Sequence, residues 1–123
     1  MSPGQHGNEE PPAPPSLEYC ILQYAGPRRA VVNIGVLLLD PDSDRLHVKL
    51  RVDWAAVASP DDAHVLAILG DDLRSKAKYT GASALLAALE DSLSSTLRIT
   101  GRQPVAASDF EEALAELYRE HIR

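Results

Sequence analysis

The sequence predicts an α+β fold: a small antiparallel sheet, made of a three-stranded N-terminal meander plus a fourth strand, with helices packed on one face. Three observations predict it. Runs rich in β-branched and alternating residues crowd positions 17–52, the segments between them are short, and helix-period patterns with start signals fill most of the remainder.

The first strand is "LEYCILQY" (17–24), the second "AVVNIGVLLL" (30–39) and the third "RLHVKLRV" (45–52). The intervening "AGPRR" and "DPDSD" are built from turn formers and are short enough to imply antiparallel hairpins. "SPDDAHVLAIL" then opens a helix, with Ser59 as N-cap, Pro60 at the first helical position, and Asp61 and Asp62 where the helix dipole favours acids. "GDDLRSKAKYTG" fits a helix or a loop equally well. "TGASALLAALEDSL" places Leu85, Leu86, Leu89 and Leu93 at helical spacing. "TLRITG" reads as the short fourth strand, ended by Gly101 and Pro104. In "SDFEEALAELYREHIR", a capping box from Ser108 to Glu111 precedes a stripe of Phe110, Leu114, Leu117, Tyr118 and Ile122.

At 123 residues and 45% hydrophobic content the chain fits one domain, expected over 17–123. Residues 1–16, "MSPGQHGNEEPPAPPS", hold five of the nine prolines and almost no large apolar side chain, so a disordered tail is expected there. The tail has neither the apolar core of a secretory signal nor the pattern of a transit peptide, and no later run is long and apolar enough to span a membrane. A cytoplasmic protein is expected. The single cysteine, Cys20, excludes an internal disulfide and reads as a small buried hydrophobe. A net charge of −6 argues against wholesale nonspecific nucleic-acid binding.

Asn33 and Gly35 interrupt the apolar second strand, and the question they raise is which face they occupy. If the second turn closes symmetrically, Leu39 pairs with Arg45, Leu38 with Leu46, Val36 with Val48, Ile34 with Leu50 and Val32 with Val52. Those aliphatic pairs would form the core face. With Tyr24 opposite Ala30, Tyr19 would lie across from Gly35 and cover it, as aromatics do for strand glycines. The second face would then collect Tyr19, Gln23, Asn33, Gly35, Arg45, His47, Lys49 and Arg51, beside Ile21 and Leu37. Arg28 and Arg29 in the first loop would assist. This basic face, with an aromatic and two amides, is the candidate binding site for a protein partner or for phosphate and carboxylate groups. Edge cations also guard against strand aggregation, and a solvated polar face is the ordinary case.

Other chemistry is not indicated. His6, His47, His64 and His121 have no metal-ligand spacing, and no metal or cofactor is expected. The doublet Asp61-Asp62 fits a helix start better than a magnesium site. No phosphate-binding glycine loop or nucleophile elbow occurs, and no catalytic residue is assigned; His47 as an acid or base lacks an accompanying nucleophile or carboxylate. Trp54 reads as a core plug. Tyr79 beside Arg74, Lys76 and Lys78 is a weak nucleic-acid pattern that a solvated helix end explains equally well.

From Tyr19 through "VNIGV" (Val32, Asn33, Ile34, Gly35, Val36) and the aliphatics after it, the chain resembles a bacterial family of uncharacterised proteins, the domain of unknown function numbered 3037. The resemblance covers residues 18 to about 122. Members often carry a glutamate three positions before the asparagine, where this chain has Ala30. The resemblance implies no activity, cofactor or substrate, but an association with small HipA-type kinase-like proteins, hence an accessory role. Expected overall is a non-enzymatic accessory or protein-interaction domain with a protein partner or its own copy. The alternative is a phosphate- or nucleic-acid-binding module on the same basic face.

Overall fold

The N-terminal strands pair as a meander because turn chemistry closes the hairpin that links the second to the third. In the computed structural model, which describes residues 16–25, 31–91 and 97–122, β1 (Ser16–Tyr24), β2 (Val32–Asp40) and β3 (Arg45–Leu50) are antiparallel neighbours. The tail at 1–15, Arg28, Arg29 and Leu93 lie outside the described residues. Ser16, assigned above to the tail, opens β1. Two short strands, β4 (Leu97–Ile99) and β5 (Gln103–Ala106), share the other side of β1, β4 along its C-terminal part and β5 along its N-terminal part. Thr100 joins them: its N–H donates to the Ile21 carbonyl (3.0 Å) and its Oγ1 accepts from the Ile21 N–H (2.8 Å). The sequence reading missed β5, taking Pro104 as a terminator. An outermost strand tolerates proline because its outward backbone groups need no partner.

Of the four described helices, α1 (Trp54–Val57), α2 (Pro60–Thr80) and α3 (Ala82–Asp91) lie between β3 and β4, and α4 (Phe110–His121) follows β5. Ser59 caps α2 as expected, its side chain accepting from the Asp62 N–H (3.3 Å). The undecided segment at 70–80 continues α2 as far as Thr80, where Gly81 at φ 91° leaves the helix. α3 takes a cap from a distant strand turn: Asp44, itself at φ 54°, accepts from the Ser83 N–H through Oδ1 (2.8 Å). The cap of α4 is Asp109, which accepts from the Glu112 N–H (3.1 Å), one residue beyond the expected Ser108–Glu111 box.

Helices cover both faces of the sheet, not one. On the first face Cys20, Leu22, Ile34, Leu37, Leu39 and Val48 meet Trp54, Leu66, Leu73, Leu85 and Leu86. On the second, Leu17, Ile21, Val36 and Leu38 meet Ala113, Leu117 and Ile122 of the C-terminal segment. The expectation of helices on one face fails because β2 presents aliphatic side chains on both sides, as a strand buried twice over does. The stripe on α4 needs such a surface: fully burying one leucine is worth about 1.5–3 kcal/mol.

The register between β2 and β3 is one residue from the expected pairing: Asp40 faces Arg45, Leu39 faces Leu46, Leu37 faces Val48 and Gly35 faces Leu50. Asp40 causes this. Its carboxylate accepts from the Asp42 N–H (3.1 Å) and the Ser43 hydroxyl (2.6 Å), which draws it into the strand and leaves a four-residue turn. In the first hairpin Tyr24 faces Val32 and Tyr19 faces Leu38, so no aromatic covers Gly35. A bulge sits between Leu22, paired with Gly35, and Gln23, paired with Asn33. The extra residue, Ile34, resets the alternation, so Asn33 and Gly35 end on opposite faces.

Candidate functional site

Gly35 faces the first core, away from the candidate face. A β-carbon there would sit 2.1 Å from Leu50 Cδ2 and 3.0 Å from the Lys49 carbonyl oxygen, so the glycine exists to let Leu50 lie across it. Leu37 shares that core. Strand alternation, together with the contacts to α4, brings Tyr19, Gln23, Asn33, His47, Lys49 and Arg51 to the second face, where α4 covers part of them; Arg45 stands at the exposed start of β3.

The polar end of this face is organised around Asn33. Its Nδ2 donates to the carbonyl of His121, the last residue of α4 (2.9 Å), and its Oδ1 accepts from Gln23 Nε2 (2.9 Å). The amide therefore holds the end of α4 onto the sheet, satisfying one of the carbonyls a helix leaves unpaired at its C-terminus. The Tyr19 and His121 rings pack at 5.7 Å, and with Thr100 and Gln103 these side chains line a hollow of about 240 Å³.

Along β3 the cationic row meets aromatic side chains of α4. The His47 ring stacks on Phe110 at 4.8 Å, and Lys49 Nζ stands 4.9 Å above the Tyr118 ring. Arg51 turns from the row to grip Asp53 with two hydrogen bonds, 2.9 and 2.7 Å. That contact raises the guanidinium's pKa and lowers the carboxyl's. His47 is held below its ordinary value of 6.5, first by burial and then by Arg45, and its Nε2 is buried without a hydrogen-bond partner among the described residues.

Arg45 and His47 also line a larger hollow, about 650 Å³, between β3 and the second half of α2. Arg74, Ser75 and Lys78 form its helical wall, and Asp44 and Gly81 its end. Arg74 donates from one Nη to the Val48 carbonyl (2.9 Å) and from the other to Asp71 (3.2 Å). Sequence reasoning had placed Arg74 and Lys78 only in a weak nucleic-acid pattern. Their four-residue spacing on a helix, which puts both on one face, was the signal available. Among the described residues no group of three or more histidine, cysteine or acidic side chains is arranged to hold a metal, and no helix is long and apolar enough to cross a membrane. Cys20 lies fully buried in the first core, and burial, with Glu90 next, pushes its thiol up to about 12. Trp54 is the core plug expected of it.

A twice-covered antiparallel sheet, with an asparagine pinning its last helix and a basic groove along one outer strand, defines a small α+β domain. The chain belongs to the family described as "Protein of unknown function (DUF3037)", whose family model matches residues 19–122. No curated protein and no solved structure matches it.

Proposed function

We propose that this chain is a non-enzymatic cytoplasmic accessory domain that binds a protein partner through the basic groove between β3 and α2. The observation that carries the reading is the division of labour among the cations. Lys49 and Arg51 are engaged with Tyr118 and Asp53, whereas Arg45 and Lys78 are exposed, form no ion pair with a described residue, and stand on the two walls of the largest described hollow. Exposed cations around a concavity are a recognition surface that costs little to desolvate and selects by charge. A kinase-like protein of the HipA type is the first partner to test, with a second copy of this chain as the other.

Recovering the tagged protein from its own cells, beside an Arg45→Glu, Lys78→Glu double variant, tests this. A stoichiometric protein present with the native chain and lost with the variant is the expected result. Equal recovery with both would remove the groove from the interface. The same cations favour a second reading, a phosphate- or nucleic-acid-binding module. Nucleic acid in place of protein, released steeply by salt as counterions return to the phosphates, would establish it.

A further inference from the structure

We infer that the groove takes an extended acidic segment of the partner as an added strand on the outer edge of β3. This rests on the partner-binding reading above and specifies its chemistry. Among the described residues β3 pairs only with β2, so its other side is an open edge. Parity identifies the groups on that edge. The Arg51 N–H donates to the Ile34 carbonyl across the β2 pair, so the odd positions of β3 turn their backbone groups inward. Leu46 and Val48 therefore turn N–H and C=O outward, and the bond from Arg74 to the Val48 carbonyl comes from that outer side.

Arg74 occupies one acceptor of an edge that is otherwise unpaired among the described residues. An incoming strand would take the Val48 carbonyl and release the guanidinium to a carboxylate of the segment. Side-chain chemistry sets the sequence such a strand needs. One side of it would run beside exposed Arg45, where an acidic residue makes a favourable cross-strand pair. The other side would run beside half-buried Leu46 and the Ala77 wall of α2, where aliphatic residues fit, with Lys78 on the same wall to take a carboxylate at the segment's end. The segment is thus one that alternates acidic with aliphatic side chains, recognised by strand addition. A second copy of β3 fits poorly: antiparallel self-pairing would set Arg45, His47, Lys49 and Arg51 against one another, and like charges directly opposite are destabilising.

The test uses the full chain labelled for amide NMR and a synthetic peptide alternating glutamate with valine. Two counter-probes are the same peptide N-methylated at alternate amides and a single-stranded oligonucleotide. The expected result is slowed exchange of the Leu46 and Val48 amides on binding. Affinity should fall about tenfold in Arg45→Glu and again in Lys78→Glu, with no binding of the N-methylated peptide. Circular dichroism of both variants, altered at exposed positions, checks that the fold persists. Equal binding of the N-methylated peptide would overturn strand addition while leaving the partner-binding groove in place. Absence of peptide binding, with or without oligonucleotide binding, would overturn the inference. Loss of the groove variants' effect on partner recovery in cells would instead overturn the reading on which it rests.

Discussion

Replacing Gly35 with alanine puts a methyl group where Leu50 now lies. The added carbon would stand 2.1 Å from Leu50 Cδ2, 3.0 Å from the Lys49 carbonyl oxygen and 3.3 Å from Leu50 Cα. The leucine tip can swing aside, but the two backbone atoms cannot move without shifting β3 against β2. Overpacking of this kind costs about 1–3 kcal/mol. Against it stands the gain from a stiffer unfolded chain when glycine becomes alanine, about 0.4–1 kcal/mol. A net destabilisation of about 1–2 kcal/mol follows. Urea unfolding followed by fluorescence of Trp54, the only tryptophan and a buried one, reads it as a midpoint lowered by about 0.5–1 M. The cause is isolated by Leu50→Ala, which opens the space. The double variant should be less destabilised than the sum of the two single ones by at least about 1 kcal/mol. A neutral Gly35→Ala, or strict additivity with Leu50→Ala, would refute the packing argument.

Three other outcomes are expected. Asn33→Leu leaves the His121 carbonyl and the Gln23 amide without their partner, costing about 1–3 kcal/mol, and hydrogen exchange in the last turn of α4 should accelerate more than in α2. The Cys20 thiol, buried and pushed up to about 12, should resist alkylation in mildly alkaline buffer and react fully once the chain is denatured. Because His47 has a lower pKa folded than unfolded, the unfolded chain binds its proton first as pH falls through 6.5. Stability is therefore lost on acidification until the folded value is passed. His47→Phe, which keeps the stack on Phe110, should remove that part of the acid loss, and thermal unfolding at mildly acidic and neutral pH measures the difference.

Alternation made β1 and β3 legible in the sequence. Cys20 and Leu22 face the first core, and His47 and Lys49 face α4, as "LEYCILQY" and "RLHVKLRV" imply. β2 was not legible in this way. Residues 34–39 are all buried, so the run has no polar side to orient it, and the register had to be guessed from turn symmetry. Asp40, read as a turn residue, decided otherwise by bonding the turn from within the strand. The bulge at Ile34, in the β1–β2 pair, has no local signature in the sequence beyond the glycine beside it. Of the candidate residues, Tyr19, Gln23, Asn33, Arg45, His47, Lys49 and Arg51 do lie on or beside one surface, and Gly35 does not. What the sequence could not convey is that α4 roofs much of that surface. Its stripe of Leu114, Leu117 and Tyr118 specifies that the helix packs, but not on which side of the sheet.

The cap on α3 makes one helix dependent on a hairpin far from it in the chain. The acceptor for the Ser83 N–H belongs to Asp44, 39 positions earlier, so the first turn of α3 is completed only after β2 and β3 have closed and the helix has reached them. The cap of α3 is thereby a contact of long sequence separation, of the kind whose loop-closure cost is met only when the chain between its partners is already ordered. A fragment beginning at Ser59 would contain all of α2 and α3 and still lack that acceptor. In the whole protein, opening the hairpin takes that acceptor away and removes the cap from the helix.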